Sequence, residues 1–89
     1  MPTLEFIVSG RVQGVGYRYF ALQVADELGV GGWVRNLPGG EVQVVASGTI
    51  EVLEELHKRL AEGPRMSRVT DVRTRPAAEE EFDGFDVRF

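Results

Sequence analysis

A change of period across one short turn constrains this chain more than any other feature. Leu4, Phe6 and Val8 share one side of the alternating segment Leu4-Glu5-Phe6-Ile7-Val8-Ser9, which reads as a strand. From Phe20 the apolar spacing widens to four, through Val24 and Leu28 with Ala21 and Ala25 beside them, which is one face of a helix. Between the two lies Gly10-Arg11-Val12-Gln13-Gly14-Val15-Gly16-Tyr17-Arg18. A strand must become a helix within a few residues, and a glycine-rich backbone makes such a turn without a Cβ penalty.

The rest of the chain continues the alternation of element types. Gly29 is a fitting helix stop, and Val30 to Arg35 reads as a second strand. In Leu37-Pro38-Gly39-Gly40 the proline presets φ and the glycine at the third position tolerates φ > 0. Val42, Val44 and Ala46 then give the other arm of a hairpin. Thr49 can cap a second helix, with Glu51 in its first turn and Val52, Leu53, Leu56 and Leu60 as its apolar stripe. Gly63-Pro64 ends that helix. Arg68 to Arg75 has the charge and threonine of an edge strand. Ala77 to Glu81 reads as a solvated connection, and Phe85, Val87 and Phe89 alternate as a closing strand. The expected fold is α+β: a ferredoxin-like βαββαβ sandwich, two helices on one face of a mainly antiparallel four- to five-stranded sheet.

Composition narrows the function. The 89 residues suit one domain, residues 1–89, with one modest core. No apolar run approaches the ~20 residues needed to cross a membrane, and the N-terminus lacks the features of a signal peptide. A cytoplasmic protein with no membrane partner is expected. The chain has no cysteine, which removes disulfides, Cys-ligated zinc and a phosphocysteine intermediate. Its formal charge is −4, opposite to that of a generic nucleic-acid binder.

The glycine turn carries the most chemistry. Main-chain N–H groups beside a helix N-terminus can hold an oxyanion such as phosphate, and Arg18 adds a planar fork of donors that matches phosphate. The turn is not a Walker loop, because no Gly-Lys-Ser/Thr follows, and Gly14-Val15-Gly16 lacks the third glycine of a dinucleotide fingerprint. Gly32-Trp33-Val34-Arg35-Asn36 adds a neutral carboxamide that could orient a water. Other residues have plainer readings. Arg11 and Arg35 read as solvated charges, His57 as a partly exposed structural histidine, and Trp33, Tyr19 and Phe20 as core or pocket wall. Glu79-Glu80-Glu81 reads as a solvated loop and a poor metal site.

The segment from Val8 to Arg18 resembles the first signature of the acylphosphatases. Gly32-Trp33-Val34-Arg35-Asn36, followed by Gly40, Val42 and Gly48, resembles their second. Tyr17 stands where the family more often has phenylalanine, and Phe89 where many members have tyrosine; neither departure is expected to matter much. The resemblance implies hydrolysis of the carboxyl–phosphate bond of small-molecule acyl phosphates, with no cofactor and no metal. Arg18 then corresponds to the phosphate-binding arginine and Asn36 to the water-positioning asparagine. The loop Gly14, Val15, Gly16, Tyr17 and Arg18 would bind phosphate oxygens through main-chain N–H groups. Inorganic phosphate or sulfate is expected to compete, and a monomer is expected.

Two other classes fit the same element order. One is a non-catalytic anion-binding or regulatory module that keeps the cradle without turnover. The other is an RNA-binding domain, which stacks bases on central-strand aromatics. Glu41 to Ala46 has no aromatic residue, and the chain is acidic, so no nucleic-acid partner is expected.

Overall fold

The two periods of the first segment separate as expected in the computed structural model, which describes residues 1–89. Strand β1 (Thr3–Arg11) is followed by helix α1 (Tyr17–Leu28), strands β2 (Gly31–Asn36) and β3 (Val42–Ser47), helix α2 (Ile50–Glu62), and strands β4 (Arg68–Pro76) and β5 (Phe85–Arg88). The five strands form one sheet in the order β4-β1-β3-β2-β5. β1 runs antiparallel to β3 and β4, β2 antiparallel to β3, and β5 parallel to β2. This is the anticipated sandwich with a fifth strand at one edge and β4 at the other.

Both helices cover one face. Phe6 and Val8 of β1, Val34 of β2, and Val42, Val44 and Ala46 of β3 are buried there against Leu53, Leu56 and Leu60 of α2. The face of α1 differs from the four-residue spacing seen in the sequence. Tyr17, Ala21, Val24 and Ala25 are buried, while Phe20 and Leu28 are half-buried at the margins. The two alanines let the helix approach its neighbours closely, so the contact centres on them and not on Phe20. In α2 Thr49 caps as expected, its side chain accepting from the Val52 N–H at 3.2 Å.

The other sheet face carries polar side chains. Arg75 donates to Glu5 at 2.6 Å, Gln43 donates to the second Glu5 oxygen at 2.7 Å, and Arg35 donates to Gln43 at 2.7 Å. The guanidinium carbons of Arg35 and Arg88 lie 5.3 and 4.5 Å from the centre of the Trp33 ring. Trp33 is therefore neither core nor pocket wall, because its odd-numbered place on β2 turns it away from the helices. Tyr19 is also corrected, being 61% exposed.

In the hairpin turn the Gly40 N–H donates to the Leu37 carbonyl at 3.1 Å. The positive φ falls on Gly40, at 98°, and not on Gly39. This places the glycine at the fourth turn position, where type I turns favour it. No helix is long and apolar enough to cross a membrane.

Candidate active site

β1 ends in an irregularity that aims the chain at α1. The β1–β4 register shifts between Ser9 and Gly10, and Gly10 has φ 121°. A Cβ at Gly10 would lie 2.1 Å from the Arg68 carbonyl oxygen, so no other residue fits without displacing β4. After the bulge Val12 is buried and Val15 packs half-buried against the core. These two apolar side chains pin the loop from both sides. Gly14 and Gly16 stand between and after them with φ 75° and 78°.

The loop delivers a helix start with open donors. Gly16 is the N-cap of α1 and has no side chain to cap it, and the first turn holds no acidic residue. The first helical bond joins the Phe20 N–H to the Gly16 carbonyl at 3.1 Å. The N–H groups of Gly14 through Tyr19 donate to no protein acceptor. Helix N-termini attract anions through such groups and through the helix dipole. α2, capped by Thr49, offers a filled counterpart in the same molecule.

Arg18 sits at this end. Its Nη1 donates to the Arg88 carbonyl at 3.1 Å, and its guanidinium carbon lies 4.5 Å from the centre of the Phe89 ring. Arg88 is the register partner of Arg35 across the β2–β5 pair. Arg18 is thereby held beside the strand position that precedes Asn36. Asn36 is the last residue of β2 and pairs with Val42. Alternation puts it on the side of Gly32 and Val34, which face the helices. Its carboxamide makes no hydrogen bond within the protein, so its donors and its acceptor are uncommitted, and the residue is half-buried. The N-terminus of α1 and the C-terminal end of β2 thus share one end of the sandwich, on the helix side.

Two contributions were missed in the sequence. Gln13 donates from Nε2 to the carbonyls of Leu37 and Glu41, both at 2.8 Å, and so ties the loop to the β2–β3 turn. Nothing in the local spacing signals this, since its partners are backbone atoms 24 and 28 residues away. Tyr17 is more than a cradle residue with an interchangeable ring. It is 1% exposed, and its hydroxyl donates to the Leu60 carbonyl at 2.6 Å. Of the residues read as solvated charges, Arg35 is engaged with Gln43 and Trp33 as described above.

A separate groove lies elsewhere. It is lined by Met1, the end of α1, the start of β2, Ser47 at the end of β3, and the 79–84 segment. Asp26, Glu79, Glu80, Glu81 and Asp83 line it, a carboxylate wall that repels an anion. The open N–H groups at the start of α1, and Arg18, are at the opposite end of the strands.

A sequence model of the acylphosphatase family matches residues 4–87. The chain belongs to the acylphosphatase family. It is 49% identical to the acylphosphatase of Thermus thermophilus, over 98% of this chain and 99% of that one. To the acylphosphatase of Archaeoglobus fulgidus it is 42% identical, over the full length of both. The crystal structure of the Bacillus subtilis acylphosphatase superposes with a TM-score of 0.95 at 34% identity, covering all of both chains.

Proposed function

We propose that this chain is an acylphosphatase that hydrolyses the carboxyl–phosphate bond of small acyl phosphates to carboxylate and inorganic phosphate, without a metal. The observation that carries the reading is the shared end of the sandwich. The open N–H groups of Gly14 to Arg18 and the Arg18 side chain start α1 at the end of the sandwich where Asn36 closes β2, in a chain matched over nearly its whole length by acylphosphatases, and this supports the reading.

The chemistry follows from charge development. A phosphoryl transition state spreads charge over three equatorial oxygens, so positioned donors supply most of the stabilisation. The loop amides and Arg18 are those donors. The leaving group is a carboxylate with a pKa of about 4, and it departs without a proton. A general acid is therefore dispensable, as it would not be for an alkyl phosphate ester. Asn36 is neutral and too weak to serve as a base. Its role is to hydrogen-bond the attacking water and aim it in line with the departing oxygen. A phosphate oxygen is a suitable acceptor for the water's proton.

The test is hydrolysis of benzoyl phosphate in excess EDTA, set against a simple alkyl phosphate ester. Turnover of the first alone, untouched by chelation, is expected. No release of benzoate would leave the non-catalytic anion-binding reading in its place. Arg18→Ala should lose about 3–4 kcal/mol of transition-state stabilisation and also its inhibition by inorganic phosphate. Asn36→Ala should lose turnover while phosphate still inhibits. Near-normal turnover of Asn36→Ala would remove it from the mechanism. The monomeric state and cytoplasmic residence expected from the sequence belong to the same reading; sedimentation checks the first and fractionation the second.

A further inference from the structure

The sheet order separates the two halves of the site. The loop leaves the end of β1 and Asn36 closes β2, yet β3 lies between these strands. No ladder hydrogen bond joins β1 to β2. What spans the gap is the Gln13 side chain. Its single amide nitrogen donates both hydrogens across the end of β3, to Leu37 on one side of the turn and to Glu41 on the other. The same two residues close the turn on themselves, Leu37 N–H donating to the Glu41 carbonyl at 2.8 Å. Gln13 is covalently adjacent to Gly14, the first cradle residue, and Leu37 is adjacent to Asn36.

We infer that Gln13 is a positioning residue, which sets the distance between the phosphate cradle and the Asn36 carboxamide by clamping the β2–β3 turn to the loop. The inference rests on the reading of the site given above. Only a primary amide, a guanidinium or an ammonium can give two hydrogens to two carbonyls from one nitrogen, and the two cations would bring charge and a different reach. Losing the clamp frees the Leu37–Glu41 turn relative to the loop. The cradle amides stay where Val12 and Val15 hold them. Phosphate binding therefore survives, while the aim of the water does not.

Two variants of similar length separate this from a merely structural role. Gln13→Met removes both donors, and Gln13→Glu faces two carbonyl oxygens with a carboxylate. Both should lower kcat on benzoyl phosphate by about 10- to 100-fold, the scale of a misplacement near 1 Å. KM and the inhibition constant of inorganic phosphate should move less than about threefold, on the same ground that the cradle is intact. Protonated glutamic acid regains one donor. The kcat of Gln13→Glu relative to wild type should therefore rise as pH falls toward the carboxyl range, and that of Gln13→Met should not. A cooperative thermal melt reports that each variant is folded. The inference is overturned if kcat is retained in both variants, if phosphate binding is lost in step with kcat, or if the pH rescue is absent. Wild-type protein with no acyl phosphate hydrolysis would instead sink the reading on which the inference stands.

Discussion

Replacing Tyr17 with phenylalanine isolates one hydroxyl at the base of the site. The ring stays buried between α1 and the core, so no cavity opens beyond a single oxygen. The hydroxyl donates to the Leu60 carbonyl at 2.6 Å. Leu60 lies in the last turn of α2, where carbonyls have no partner four residues on. Leu60 is fully buried, so water does not readily replace the phenol. Burial also pushes the Tyr17 phenol well above its ordinary value, and it remains a donor across the working range. Orphaning a buried carbonyl costs about 1–3 kcal/mol, against a total stability of roughly 5–13 kcal/mol for a chain of this length. Each kcal/mol moves the melting temperature of a small domain by about 4–8 °C. A fall of at least about 4 °C on that scale is expected, along with a lower urea midpoint at unchanged m. Activity at a temperature where both forms are folded should stay within about twofold of wild type, because uniform anchoring of α1 by the ring is kept. A melting temperature unchanged by Tyr17→Phe would refute the argument that this hydroxyl ties the two helices.

Three further outcomes follow from the same structure. Gly14→Ala and Gly16→Ala meet nothing within 4 Å of the added Cβ, so each should cost only the left-handed backbone penalty of about 1–2 kcal/mol; relaxation of φ would turn amides away from the anion, and phosphate inhibition should weaken more than stability does. Gly10→Ala should be the more damaging in a thermal melt, since its Cβ would overlap the Arg68 carbonyl. Burial opposes ionisation of Glu5 more than any single influence favours it, yet hydrogen bonds from Arg75 and Gln43 and the charges of Arg75 and Arg35 together hold its carboxyl below its ordinary 4.5. A depressed folded value means that the stabilisation is present above about pH 4.5 and is lost as pH falls through the folded value. Urea unfolding below pH 5 should be less steep with pH in Glu5→Gln than in wild type.

Local physics wrote most of the fold into the sequence. The period change at the glycine turn, the Thr49 cap and the leucine stripe of α2 each depend on residues within one or two turns of each other. Charge and threonine in β4 were enough to place it at an edge. What the sequence hid was decided at long range. The centre of the α1 face shifted from Phe20 to Ala21 and Ala25 because the neighbouring layers, and not the helix, choose which side chains approach closest. Trp33 left the core because strand parity put Val34 inward, and parity is set by the register with β3. Arg18 and Asn36 were visible as chemistry, but Gln13 was not, because its partners are main-chain carbonyls that any residue would supply.

An anion site in a chain of charge −4 is resolved by the direction of the strands. The carboxylates of Asp26, Glu79, Glu80, Glu81 and Asp83 gather where β2 begins, beside Gly31. Arg18, Arg35 and Arg88 gather where β2 ends. Six residues of strand separate these ends, about 17–20 Å at roughly 3.3 Å per residue. At physiological ionic strength the screening length is about 8 Å, so the far carboxylates are more than two such lengths from the cradle. They contribute to net charge and solubility, but little to the potential that a phosphate meets. Arg18, by contrast, belongs to the same first turn of α1 as the open amides. Lowering the salt lengthens the reach of the acidic end, so phosphate inhibition should gain less in the wild type than in a variant with Glu79, Glu80 and Glu81 changed to glutamine. An equal response of the two proteins to salt would refute the opposition between the two ends.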